Sequence, residues 1–186
     1  MKISRFILLS ISLSLSGLFA KYNTAGVLPY LKNGRQVLVL IGKEHRRDQT
    51  NGGHGVWTDF RGLKDKADNN DSFVTALREF SEESAHAVPL CRSRHIRPQY
   101  KGVHTHIYIL PVQHYVHPVH INSQARRHRA VEKYDWTWVD LRDLLKKAKH
   151  PGYHLVSTNG KQVRTLYNNF EKVLNYKQVR RFLKSL

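Results

Sequence analysis

The stretch "ALREFSEESAH", residues 76–86, sets one arginine and three glutamates within the six positions from Arg78 to Glu83. The chain around it has only 14 acidic residues against 31 basic ones. Just upstream and within it, Phe73, Ala76, Leu77 and Phe80 fall at i, i+3, i+4 and i+7, the apolar face of an amphipathic helix. Asp71 or Ser72 can cap the start of that helix, and Pro89 bars a long continuation. On such a helix Glu79, Glu82 and Glu83 share one face, their Cβ atoms about 5–6 Å apart. Like charges at that spacing destabilise a helix by roughly a few tenths of a kcal/mol per pair. The run is therefore either a solvated acidic face or an array for a hard divalent cation, which takes charged oxygen ligands.

Outward from this helix the pattern alternates between strands and helices. "AGVLPYLKNGRQVLVLIGKE" (25–44) reads as two strands around the hairpin signal Asn33-Gly34. Its continuous apolar run from Val37 to Ile41 predicts a strand buried on both faces. "HRRDQTNGGHG" is a polar loop, "VWTDF" a short strand and "RGLKDKADNND" a second loop. "VHTHIYILPV" reads as a strand, and "YDWTWVDL" as another that feeds the helix "LRDLLKKAKH". From Lys161 to Leu186, Val163, Leu166, Phe170, Val173 and Leu174 recur at helical spacing beside lysines and arginines, which predicts a basic amphipathic helix. No internal repeat or long linker interrupts the series.

The chain's 186 residues suit one domain, with 40% apolar and 10% aromatic residues excluding a disordered composition. The single Cys91 excludes an internal disulfide. A formal charge of +17 favours anionic partners, nucleotides or nucleic acid among them. The N-terminus carries Lys2 and Arg5, then runs uncharged from Phe6 to Ala20, the layout of a secretory signal peptide and short for a membrane span. The expected organisation is a signal peptide over residues 1–20 and one domain over 21–186, with no transmembrane span in the mature chain. Export to the periplasm or the exterior follows from that expectation.

Arg78-Glu79-Phe80-Ser81-Glu82-Glu83 resembles the core of the Nudix box, the signature of the Nudix hydrolases. "WTDFRG" is similar to the strand and glycine turn that open the box, with Gly62 in the glycine place. The 25–44 hairpin and "YDWTWVDLRDLL" resemble the family's entry hairpin and its late strand and helix. The sequence departs from the box in three places. Arg61-Gly62 stands where two glycines are common. Asp68 replaces a glutamate and is separated from Arg78 by nine residues rather than seven, a difference that two extra residues at Asn69-Asn70 would explain, with Asp65 and Asp71 as alternative acidic partners. Ala85 replaces the glycine after the glutamates, at a cost of about 1 kcal/mol if the chain turns left-handed there.

The resemblance implies an α/β/α sandwich with a mixed central sheet, and water-driven cleavage of a diphosphate linkage in a nucleotide derivative. It implies Mg²⁺ or Mn²⁺ on Glu79, Glu82 and Glu83, with a backbone carbonyl near Arg61 or Gly62, and Arg78 orienting a glutamate. Glu79 and Glu132 are the candidate general bases. Arg46, Arg47 and Lys64 are candidate phosphate contacts by charge and position. Trp57, Tyr134, Trp136 and Trp138 suit either a stacked base or the core, and alternating aromatics on a strand favour the core. His104 and His106 share one strand face, while His114, His117 and His120 recur every three residues; neither set fixes the four tetrahedral ligands of a zinc site. The alternative function is a non-catalytic module of the same fold that binds nucleic acid or another anionic polymer through its basic surface.

Overall fold

A computed structural model of the chain describes residues 22–44, 55–91, 97–128 and 132–186. The expected leader and most of the loop before Gly55 lie outside these residues, as do Arg46 and Arg47. The expected hairpin forms one residue further on. Strands β1 (Thr24–Asn33) and β2 (Gln36–Glu44) pair antiparallel with Asn33 opposite Gln36, so Gly34 and Arg35 make the turn. Gly34 takes the positive φ of 59° that glycine adopts without strain.

The apolar run of β2 is buried on both faces. Val39 and Ile41 enter one core, and Leu38 and Leu40 the other. β3 (Val56–Thr58) pairs antiparallel with β2, and β4 (Phe60–Leu63) antiparallel with β1. "VWTDF" is thus not one strand: the chain changes partner at the fully buried Asp59, which accepts hydrogen bonds from Arg61 Nε and Nη2 at 2.6 and 2.5 Å. Helix α1 (Ser72–Glu83) follows, then the short β5 (Tyr100–Lys101) and β6 (Thr105–Pro111). β6 pairs parallel with β1 along seven residues and antiparallel with β5. After α2 (Pro118–Ala125), β7 (Lys133–Asp140) adds antiparallel to β2, giving a mixed seven-stranded sheet.

Helix α3 (Leu141–Lys149) and the ribbon β8 (Leu155–Val156) and β9 (Gln162–Val163) complete the order with α4 (Asn168–Asn175) and α5 (Lys177–Lys184). Helices α1 and α2 cover one face of the sheet through Ala76, Phe80 and Ile121. Helices α3, α4 and α5 cover the other through Leu144, Phe170 and Val179. The result is the expected α/β/α sandwich.

Two sequence expectations change here. The single C-terminal helix is instead β9 and two helices, because the apolar phase slips after Leu174 and Tyr176 is extended at φ −63°, ψ 129°. Pro118, which argued against a continuous histidine-bearing helix, opens α2 as its first residue, with His117 Nδ1 accepting from the Val119 N–H at 3.2 Å. No described helix is long and apolar enough to cross a membrane.

Candidate active site

The segment before α1 resolves the three acidic choices. Asp65 caps a single 3₁₀ turn at Lys66–Asp68, and Asp71 caps α1 by accepting from the Phe73 N–H at 2.8 Å. Asp68 is the partner of Arg78: its carboxylate, 1% exposed, accepts from Arg78 Nε and Nη2 at 3.0 Å each. Thr75 Oγ1 and the Asp65 N–H add two bonds of 2.8 Å. The guanidinium holds the Asp68 carboxyl well below the usual carboxylate range. The two extra residues, Asn69 and Asn70, are both left-handed, at φ 52° and 58°, a conformation asparagine tolerates.

Arg78 also ties the start of the box to its glutamates. Its Nη1 lies 2.8 Å from Glu79 Oε1 and 3.1 Å from Glu82 Oε2, and its Nη2 donates to the Leu63 carbonyl at 2.8 Å. Glu79 packs directly on Gly62, where a Cβ would stand 2.1 Å from the Glu79 Cδ. A side chain at 62 would displace the Glu79 carboxylate from this position. Burial pushes the Glu79 pKa up, against the pull of Arg78. Glu82 is half exposed on the outer side, while Glu83 points into the protein at 4% exposure. The helix then ends in the left-handed turn anticipated for Ala85. Ala85 and His86 have φ of 52° and 57°, and their N–H groups donate to Glu82 and Ser81 carbonyls at 3.0 and 2.7 Å.

The three box glutamates therefore do not gather as one set. Among the described residues, the carboxylate oxygens that come within 4.8 Å of one another belong to Glu44, Glu83 and Glu132. Glu44 ends β2 in phase with Leu38, Leu40 and Gly42, so it reaches the α1 side of the sheet. Opposite it stands Lys133. The register of β7 against β2 shifts here: Lys43 faces Asp135 and Glu44 faces Lys133, so Tyr134 is the extra residue of a β-bulge. Without the bulge, the odd separation of Lys133 from Trp136 would send them to opposite faces. With it, the Lys133 ammonium, 2% exposed, sits 3.2 Å from Glu83 Oε1 and 3.4 Å from Glu44 Oε2.

These donors fit a hard divalent cation. Three carboxylates supply charged oxygens, and oxygens bonded at about 2.1 Å on opposite sides of such an ion are separated by about 4.2 Å. Glu83 Oε2 is buried without a hydrogen-bond partner, an oxygen with a ligand position to fill. Burial pushes the Glu83 pKa up to about 8, against the pull of Lys133.

A cleft of about 550 Å³ opens over this region, lined by Gly62, Glu79 and Glu132 together with Arg61, Tyr167 and Asn169. Of the sequence candidates, Gly62, Glu79 and Glu132 line it. Lys64 does not; its ammonium lies 5.7 Å from the Tyr22 ring centroid. The tryptophans belong to the core. Trp136 and Trp138 are buried, their indole N–H groups donating to the Glu83 and Val116 carbonyls at 2.9 and 2.8 Å. Trp57 is also buried, with Lys43 over its ring at 5.8 Å. His106 is buried against Ser72 Oγ at 2.8 Å, and no described histidine joins a group that could hold a metal.

Glu44 and Lys133 escaped the sequence reading. Glu44 carried one signal, an acidic residue two positions past Gly42 on the core-facing phase of β2. Lys133 carried none, because the bulge breaks the alternation that would have marked it.

No family model and no curated protein matches the chain. Among solved structures, RenU, a Nudix hydrolase from M. smegmatis, is similar at a TM-score of 0.51 and 14% identity, over 89% of this chain and 88% of that one. The Nudix domain of Shewanella oneidensis NrtR complexed with ADP ribose matches at 0.49 and 15% identity, over 88% of each chain. A C. elegans Ap4A hydrolase binary complex matches at 0.45 and 18%, over 88% of this chain and 99% of that one. The likeness to RenU, with the sheet and helices described above, shows that this chain has the Nudix hydrolase fold.

Proposed function

We propose that the protein hydrolyses a diphosphate linkage in a nucleotide derivative with the help of Mg²⁺ or Mn²⁺. The observation that carries this reading is the cleft bordered by Gly62, Glu79 and Glu132, beside the cluster of Glu44, Glu83 and Glu132. Glu44, Glu83 and Glu132 would hold the cation. When bound, it supplies charge neutralisation for diphosphate oxygens and acidifies water.

The chain's own groups do the rest. Glu79 faces the cleft with a pKa raised by burial, which suits it to take a proton from the attacking water. The water oxygen bonds to phosphorus, the bridging P–O bond breaks, and the leaving phosphate carries the electron pair away. Arg78 fixes Glu79 through the 2.8 Å contact, itself held by Asp68. Glu132 lines the same cleft, where this reading uses it as a ligand of the cation.

The experiment is turnover with Mg²⁺ and Mn²⁺ on dinucleoside polyphosphates, ADP-ribose, NADH, nucleoside triphosphates and capped RNA, beside Glu79→Gln. Loss of a general base lowers the rate by about 10²–10⁴. No turnover on any substrate, or turnover that Glu79→Gln leaves unchanged, would refute the reading.

A second reading rests on the opposite face of the sheet. Helices α3 and α5 expose Arg142, Lys146, Lys177, Arg181 and Lys184, remote from the carboxylates in the layering. Binding of nucleic acid there should weaken steeply with salt and be unaffected by Glu79→Gln. A flat salt response rules it out.

A further inference from the structure

The Lys133 ammonium is the part of the carboxylate cluster that the proposed hydrolysis leaves without a task. It is buried at a cost, since a lysine loses its hydration and keeps its charge only with close partners. The fold makes room for it deliberately. A Cβ on Gly42 would stand 2.0 Å from the Lys133 Cδ, the Phe60 ring lies 5.3 Å from the ammonium, and the bulge at Tyr134 turns the side chain to this face. The ammonium contacts Oε1 of Glu83 and Oε2 of Glu44, while Glu83 Oε2 stays buried without a partner.

Charge counting gives the role. Among the described residues, three carboxylates gather around one ammonium, more acidic groups than a single lysine can balance. With all three deprotonated, one divalent cation and Lys133 together would bring the set to neutrality. Without Lys133 the three carboxylates would crowd together with no resident cation, and their demand for one would be greater.

We propose that Lys133 is a resident counter-cation of the cluster: it holds Glu44 and Glu83 together while the divalent cation is away, and so lowers the affinity of the site for that cation. This rests on the reading that the cluster takes a divalent cation, and it concerns a positioning residue rather than a catalytic one.

The test compares the wild type with Lys133→Met at matched pH, using anaerobic Mn²⁺ titration and thermal unfolding. Without metal, the variant should melt about 10 °C lower. Its Mn²⁺ dissociation constant should tighten by about tenfold or more, as the repulsion between ammonium and cation is gone. Saturating Mn²⁺ should recover most of the lost melting temperature. A purely structural lysine would give the lower melting temperature with unchanged or weaker Mn²⁺ binding, and that result overturns the proposal. Failure of Lys133→Met to fold even with Mn²⁺ overturns it too, because the cation was to substitute for the ammonium. The double variant Lys133→Met, Glu44→Gln removes one negative charge along with the positive one and should melt above Lys133→Met; melting at or below it counts against a charge-based role. Wild type that binds Mn²⁺ and turns over substrate while the variant fails to tighten rejects only this inference. Absence of Mn²⁺ binding by both proteins rejects the cation site itself.

Discussion

Replacing Asp68 by asparagine keeps the side-chain volume and removes the charge that Arg78 meets with two nitrogens at 3.0 Å. The new amide also cannot accept on both arms, so one guanidinium N–H faces a donor. Hydrogen bonds to charged groups contribute about 1.5–3 kcal/mol each. Arg78 keeps its contacts to the Leu63 carbonyl, Glu79 and Glu82, and its side chain is 29% exposed, so water recovers part of the loss. The net cost should be about 3 kcal/mol, which in a chain of this size lowers the melting temperature by about 6–12 °C. The pH dependence follows from the depressed Asp68 pKa. The unfolded carboxyl takes up its proton near pH 4 while the folded one still resists, so the stabilisation is complete above pH 4 and is lost as the pH falls towards the folded value. Urea unfolding from about pH 6 to 2.5 should therefore show wild-type stability falling more steeply below pH 4 than that of Asp68→Asn. A loss under about 1 kcal/mol at neutral pH, or parallel pH curves, would refute the assignment of Asp68 as the anchor of Arg78.

Gly62→Ala places a methyl where the Glu79 carboxylate lies; turnover should fall by about 10²-fold, while the melting temperature shifts by less than about 4 °C because only a side-chain end is displaced. Comparable losses in both would point to a folding defect instead. With the Glu83 pKa raised to about 8, a proton must leave before a cation is bound, so Mn²⁺ affinity should climb from pH 6 to about 8 and then level off in calorimetric titrations; a flat profile would contradict it. Export with removal of residues 1–20 predicts a mature chain beginning at Lys21 by intact mass, and a product retaining Met1 would exclude cleavage.

The elements with unbroken periodicity were legible. Phe73, Ala76, Leu77 and Phe80 specified α1 because a 3.6-residue apolar repeat has few other solutions, and Val37 to Ile41 specified a strand with a core on each side. The order of Arg78, Glu79, Glu82 and Glu83 pointed to the site, but helical spacing alone could not say how each carboxylate is used. Residues at i, i+3 and i+4 span enough arc for Glu82 to meet water with Arg78 while Glu83 turns inward. Asp68 was visible but ambiguous among Asp65, Asp68 and Asp71, since capping and ion pairing draw on the same side chain and only packing separates them. The C-terminal helices were misread as one because a phase slip of one residue at Tyr176 is small beside the strength of the flanking repeats.

The bulge at Tyr134 has a consequence for how this chain can change over time. Lys133 and Trp136 share a face only because the register shifts by one residue between them. A one-codon deletion at 134 would place Lys133 two positions from Trp136 in a regular ladder, so the lysine would keep facing Glu44 and Glu83 while the bulge disappears. At this point in β7, what is inherited is first of all a pairing. Regular alternation at unchanged length would instead undo the charge arrangement while leaving every carboxylate in the sequence.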